Sequence, residues 1–177
     1  KTVRDAFMEF QKFNKVKNLS DQTIAYYTQS FVKFTEFYSA EHYTQCITKN
    51  VVQNYILYLK SDPNLNNISV NSYVKQLRVF LNYCMDLGYV EKFKITLPKA
   101  EKKIKETYTD AELKLLLKKP NIKKCRFAEY RNWVIVNYFL ATGNRVTTVT
   151  NIKIQDLDFY NNVICLKHTK NKKQQII

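Results

Sequence analysis

Ala141-Thr142-Gly143-Asn144-Arg145-Val146 is the passage on which the reading of this chain turns. Ahead of it, Trp133, Val134, Val136, Tyr138, Phe139 and Leu140 are apolar enough for a helix that is mostly buried. Gly143 supplies the positive-φ stop such a helix commonly needs, having no Cβ to clash there. Arg145 then opens the next turn at a fixed place. A guanidinium so held suits a phosphate, because its planar fork reaches two oxygens at once and the free N–H groups of a helix start add to the attraction.

Further on, the strand-like Asn162-Val163-Ile164-Cys165-Leu166-Lys167 runs into a lysine-bearing turn, Thr169-Lys170-Asn171-Lys172-Lys173, before Gln174-Gln175-Ile176-Ile177. Between the two passages stands Asp156-Leu157-Asp158-Phe159-Tyr160-Asn161-Asn162-Val163-Ile164. With these three landmarks in order, the chain resembles the tyrosine recombinase (phage integrase) family. In that family an ATGxR helix break carries the first active-site arginine, a DxDxxNNxI passage follows, and a TKNKK hairpin turn carries the active-site lysine.

The resemblance implies a mainly α fold with a small antiparallel β-sheet near the C-terminus. A SAM-like four-helix core-binding domain would precede a truncated α+β tyrosine recombinase catalytic domain. It also implies that Arg145 contacts the non-bridging oxygens of a scissile phosphate and that Lys170 protonates the departing 5′ oxygen or assists that transfer. Family members complete the site, without metal or cofactor, by a His-x-x-Arg pair, a further His or Trp, and a tyrosine that becomes joined to the DNA 3′ phosphate. None of these is matched within this chain, so its 13 tyrosines are not nucleophile candidates. The expectation is an amino-terminal fragment that binds DNA without cutting it. Read from the residues alone, Arg145 has a structural alternative, an ion pair with Asp156 or Asp158, and Lys172 or Lys173 could serve in place of Lys170. Where the family usually has an acidic residue three positions after its arginine, this chain has Thr148, which leaves open a non-catalytic DNA-binding module of the same fold.

Composition agrees with a nucleic-acid partner. The 177 residues carry 29 Lys+Arg against 15 Asp+Glu, a formal charge of +14, and a surplus of that size predicts polyanion binding. Aromatic residues make up 14%, and with only 2 Gly and 3 Pro the composition argues for packed helices over a loop-rich chain. Cys46, Cys84, Cys125 and Cys165 form no CxxC pair and read as small buried apolar residues of a reducing compartment; with His42 and His168 too few to help, no metal site is expected. No run of about 18 apolar residues occurs, so the expectation is a soluble cytoplasmic protein with no membrane partner.

Taken in order, residues 2–17 place Val3, Phe7, Phe10 and Phe13 at helical spacing. Ser20 caps a second helix with Ile24, Tyr27, Phe31, Phe34 and Tyr38 on one stripe, and Thr48 caps a third bearing Val51, Val52, Tyr55, Leu57 and Leu59. Ser69 caps a fourth that runs through Tyr73, Leu77, Phe80, Leu81 and Cys84 to Gly88. These make a four-helix domain over 1–93, an exposed basic linker over 94–107 that includes Lys99, Lys102, Lys103 and Lys105, and the start of a catalytic domain over 108–177. In the latter, Thr109 and Glu112 form a capping box, a longer helix runs from about Lys124 to Leu140, and alternation from Ile152 through Ile154, Leu157 and Phe159 predicts strands turning at Asn161-Asn162.

The resemblance further implies that the second and fourth helices face the DNA major groove as half of a clamp. The matching positions offer Thr23, Lys33, Asn71, Lys75, Gln76 and Arg78, with Lys75 and Arg78 three apart on one face as the leading pair. The implied partner is double-stranded DNA, bound by a tetramer on paired sites when full-length; a monomer is expected for this piece.

Overall fold

The computed structural model describes residues 1–99, 105–167 and 174–177. The chain falls into two compact units, Lys1–Ile104 and Lys105–Ile177. Among its described residues the first contains four α-helices, α1 (Val3–Val16), α2 (Asp21–Thr35), α3 (Lys49–Ser61) and α4 (Asn67–Asp86), with a short 3-10 turn at Thr44–Cys46. The second contains α5 (Asp110–Leu116), α6 (Phe127–Thr142) and α7 (Val146–Thr150), followed by strands β1 (Leu157–Asp158), β2 (Val163–Leu166) and β3 (Gln175–Ile176). The strands form one antiparallel sheet in the order β1-β2-β3, with Leu157 opposite Ile164 and Cys165 opposite Ile176. A mainly helical chain with a small sheet near its C-terminus is therefore what the sequence predicts and what is observed.

Side-chain caps start each α-helix of the first unit. Thr2, Ser20 and Thr48 accept from the backbone N–H of Asp5, Thr23 and Val51 respectively. The fourth cap is a correction. Asn66, not Ser69, caps α4: its Oδ1 accepts from Ser69 N at 2.8 Å, so the helix begins at Asn67 and Ser69 lies inside its first turn. Both residue types cap well, and the earlier one captures the helix start. Gly88, at φ 73°, ends α4 in the left-handed region that a Cβ disfavours.

The interior of this unit is aromatic. Phe7 stacks on Phe31 with centroids 3.8 Å apart, and Phe80 meets both rings edge-on. Phe10 joins Phe80, Tyr27 and Tyr83, so that α1, α2 and α4 share one cluster. Ser30 donates its hydroxyl to the Tyr73 carbonyl at 3.1 Å, tying α2 to α4. The stripe on α3 differs from expectation at Leu57, which is exposed, because Tyr55 and Leu59 already occupy the inward side.

Residues 94–99 differ as well. They were expected to be an exposed linker, but Ile95 is buried, Leu97 packs against the same core, and the Pro98 carbonyl accepts from Asn71 Nδ2 at 2.7 Å. Alternating apolar residues spaced for an extended strand hold the segment down despite its lysines. Lys102 and Lys103 lie outside the described residues.

In the second unit the Thr109–Glu112 capping box forms as expected. The helix predicted from Lys124 begins at Phe127, because Asn121 caps a preceding turn through Lys124 N and Cys125 N while Arg126 stays extended. No described residue of α6 is buried, against the expectation of a mostly buried helix; Val134, Ile135 and Leu140 are exposed. Its apolar residues spread around the whole circumference, and the described parts of this unit cover only part of it, chiefly where Trp133 Nε1 donates to the Leu117 carbonyl at 2.8 Å. The alternation expected from Ile152 is interrupted too: residues Ile154–Asp156 make a 3-10 turn and Ile154 is exposed. Of the cysteines, all free, Cys84 alone is buried, its thiol pushed up to about 12 by desolvation, whereas Cys46 is exposed. No helix among the described residues is long and apolar enough to cross a membrane.

Tyr55 is fully buried, yet its hydroxyl has no hydrogen-bond partner among the described residues, and desolvation holds its pKa far above the usual phenol range. Removing an unsatisfied buried hydroxyl should cost nothing or stabilise by about 1 kcal/mol, whereas truncating Phe10 to Ala should cost about 3–5 kcal/mol. Urea unfolding of Tyr55→Phe and Phe10→Ala measures both; a Tyr55→Phe loss above about 1 kcal/mol would reveal a bonded hydroxyl.

Candidate nucleic-acid interface and phosphate site

The geometry around Arg145 begins at the end of α6. Gly143 adopts φ 62°, ψ 14°, and its N–H donates to the Phe139 carbonyl at 2.8 Å, closing the helix. A side chain at that φ would be strained even though no atom lies within 4 Å of an added Cβ. Thr142 Oγ1 then accepts from Asn144 N at 3.3 Å, and Asn144 Nδ2 donates to the Tyr138 hydroxyl at 3.2 Å, so the turn folds back on α6. Arg145 follows in extended conformation as the N-cap of α7, its carbonyl accepting from Thr148 N and Val149 N. Its backbone is fixed from both sides while its side chain is exposed.

Arg145 has no ion-pair or hydrogen-bond partner for its guanidinium among the described residues. The two carboxylates that could have claimed it are occupied elsewhere. Asp156, buried, accepts from Lys167 Nζ at 2.6 Å and from Lys153 N at 3.0 Å. Asp158 accepts from Tyr160 N, Asn161 N and Asn161 Nδ2, forming the turn that leads to Asn162 at φ 55°. The Lys167 ammonium, then the Lys153 amide, holds the Asp156 carboxyl below its ordinary range, and Asp156 in turn raises Lys167. This pair ties the end of β2 to the turn before β1, immediately ahead of the lysine-bearing passage. Lys170, Lys172, Lys173 and His168 lie outside the described residues. Thr148 is buried at 7% exposure.

In the first unit, the six positions proposed from α2 and α4 separate into two groups. Lys33 is committed: it pairs with Glu36 at 2.8 Å and Asp62 at 3.4 Å and lies over the Tyr58 ring. The Glu36 carboxylate foremost, with Asp62, holds its ammonium above the usual lysine range. Asn71 is committed to Pro98. Thr23 shares its hydroxyl with the Ser20 cap at 2.9 Å. Lys75 is exposed and Arg78 half-buried, and neither has an ion-pair partner among the described residues.

Gln76 lines a shallow depression between α2 and α4 with Tyr26, Gln29, Ser69, Ser72 and Tyr73. Hydroxyl and amide groups at this spacing can donate to or accept from base edges and phosphates alike. Tyr26, Gln29 and Ser72 are not among the positions the sequence offers; they come together with Gln76 only because α2 and α4 pack side by side.

Comparison with known proteins adds family evidence. Residues 3–104 match the phage integrase SAM-like domain. The chain is 31% identical over 164 residues to tyrosine recombinase XerC of Staphylococcus aureus (strain USA300 / TCH1516), covering 90% of this chain and 53% of that protein. XerC of strain JH9 is 30% identical over the same length. The chain thus spans about half the length of the curated relatives it matches. Among solved structures, the Tn1549 transposon integrase in complex with circular intermediate DNA aligns at TM-score 0.72 with 16% identity, covering 99% of this chain and 58% of that one. A lambda integrase tetramer bound to a Holliday junction aligns at TM-score 0.70 with 12% identity, over all of this chain and 50% of that one. At such identities these likenesses speak to the fold.

Because Asp156 has a lowered pKa in the folded state, the stability it adds is present above the unfolded carboxylate value of about 3.9 and is lost as pH falls through the lower folded value. Lys167, raised, contributes below the unfolded lysine value of about 10.4 and loses its share as pH rises through the folded one. Thermal unfolding of the parent and Asp156→Asn should therefore show a gap at neutral pH that closes on acidification. A gap independent of pH would mean the pair does not carry it.

Proposed function

The chain belongs to the phage integrase (tyrosine recombinase) family, and from that membership we propose that it binds duplex DNA and supplies part of the strand-transfer site of a site-specific recombinase. The observation that carries this is the state of Arg145: backbone fixed between a glycine-terminated helix and the next turn, side chain exposed, and both rival carboxylates engaged elsewhere. An arginine with a structural duty would have spent its charge on one of them.

The chemistry fits the residue type. Breaking a phosphodiester builds negative charge on the non-bridging oxygens of a crowded transition state, and a preplaced guanidinium stabilises that charge with little reorganisation. Lys170 is proposed as the acid toward the departing 5′ oxygen, since lysine can give up a proton where arginine cannot. The tyrosine nucleophile and the His-x-x-Arg pair are proposed to be supplied outside these residues, and the active assembly to be a tetramer on paired DNA sites in the cytoplasm. Binding is assigned to the depression between α2 and α4 with Thr23 and Gln76 beside it and Lys75 and Arg78 on α4, while Lys33 and Asn71 serve the fold. One observation favours a second reading, a non-catalytic DNA-binding module: Thr148 places a neutral hydroxyl where the family usually has an acid.

Two outcomes are expected. Binding of the 177-residue chain to duplex DNA should weaken linearly in log–log salt plots, by about 0.9 per phosphate neutralised. Lys75→Ala and Arg78→Ala should each reduce that slope by about 1, whereas Lys33→Ala should lower thermal stability and leave the slope nearly unchanged. A salt-insensitive affinity would remove the interface. In the full-length protein, Arg145→Ala should abolish cleavage of a nicked suicide substrate while sparing most of the binding; cleavage at parental rate would take Arg145 out of the site, and no cleavage by the parent protein itself would favour the binding module.

A further inference from the structure

A second surface of the first unit shares no lining residue with the depression between α2 and α4. Between α3 and the extended segment 93–98 runs a groove of about 260 Å³. Its floor is apolar: the half-buried Ile56 of α3 and Leu97 of the segment line it, with the buried Val52 and Ile95 beneath them. Its rim is cationic: Lys49, Lys60 and Lys94 line it, no carboxylate does, and none of the three has an ion-pair partner among the described residues.

The segment itself is an open edge. From Phe93 to Leu97 no backbone N–H or C=O has a hydrogen-bond partner among the described residues, and only the Pro98 carbonyl beyond them is engaged, by Asn71. Residues Ile95 and Leu97 turn toward the core while Lys94 and Thr96 are exposed, the alternation of a strand without a neighbour. Unpaired strand edges are templates for another extended chain.

We propose that this groove receives an extended acidic peptide of a partner protein. The peptide's backbone pairs with the free edge of 93–97, its apolar side chains sit on the half-buried Ile56 and Leu97, and its carboxylates meet the three rim lysines. Three alternatives fit less well. A second copy of this chain, carrying a net +14, brings the wrong charge. Duplex DNA satisfies the lysines but has no extended chain of amides to pair with the open edge of 93–97. A cofactor-sized ligand generally needs about 300–1,000 Å³, more than is present. The assignment does not rest on the recombinase reading, and it uses neither Arg145 nor the faces of α2 and α4 assigned to DNA.

The test uses the 177-residue chain, 15N-labelled, with a fluorescein-labelled octapeptide alternating Glu and Leu. Anisotropy should report saturable binding, amide shifts should concentrate at 93–97 and along α3, and amides of 93–97 should gain protection from hydrogen exchange. The double variant Lys49→Ala/Lys60→Ala, with unchanged circular dichroism, should bind about tenfold more weakly. The proposal is overturned if the octapeptide does not bind, if a version with Ser in place of Leu binds equally well, or if the shifts fall on α2 and α4. It is likewise overturned if a short duplex DNA, and not the peptide, perturbs the 93–97 amides.

Discussion

The packing of Phe7, Phe10, Phe31 and Phe80 is the constraint on which the first unit depends. Each ring is too large to be left in water at one helix surface, and edge-to-face geometry gives the cluster a preferred arrangement that aliphatic side chains would not impose. Because α1, α2 and α4 each contribute rings, none can rotate without unpacking the other two. That fixes which faces of α2 and α4 remain outside, and so places Tyr26, Gln29, Ser72 and Gln76 around one depression. The polar surface is a consequence of aromatic packing, with the Ser30–Tyr73 hydrogen bond setting how far α4 sits along α2.

A chain with a formal charge of +14 must distribute its cations, and here they divide into two kinds. Lys1, Lys33 and Lys167 are held by Glu9, by Glu36 with Asp62, and by Asp156. Each bond joins parts distant in sequence or closes a turn, and each raises its lysine's pKa. Lys49, Lys60, Lys75, Lys94, Arg78 and Arg145 have no such partner among the described residues. Among the described residues six carboxylates (Glu9, Glu36, Glu41, Asp62, Glu129 and Asp156) enter ion pairs, and with 15 Asp+Glu against 29 Lys+Arg the cationic surplus stays on surfaces where an external anion is an available partner.

Periodicity made the four helices and their inward stripes legible, since apolar spacing and local caps act over a few residues. Legibility failed where the decisive partner lay far along the chain. Segment 94–99 read as a linker because its lysines were visible and the core awaiting Ile95 and Leu97 was not. Lys33 is a different case: its nearer partner, Glu36, stands only three residues on and was open to view, and Asp62, 29 residues away, adds the engagement that no local pattern announces. Helix α6 misled for the opposite reason: apolar residues all round a helix predict burial, but burial depends on what surrounds it, and among the described residues that is little. The backbone setting of Arg145 was legible because it is local, a glycine stop and a cap within a few residues of each other.

Thr148 bears on how that arginine behaves. At 7% exposure, a carboxylate in its place would be costly unless paired, and pairing would draw on a nearby cation. A threonine hydroxyl makes no such demand. Under the role proposed for Arg145, an acid at 148 would orient and partly neutralise the guanidinium, whereas Thr148 leaves it its full charge and more of its rotamer freedom. For a bound phosphate the two effects oppose each other: attraction increases with the unshared charge, while precise aim at a developing oxyanion decreases. Binding tolerates that exchange better than catalysis does, because a ground-state phosphate can be met in several geometries and the transition state in few. Under the proposed recombinase reading, position 148 is thus where affinity for DNA and competence to cleave it would diverge.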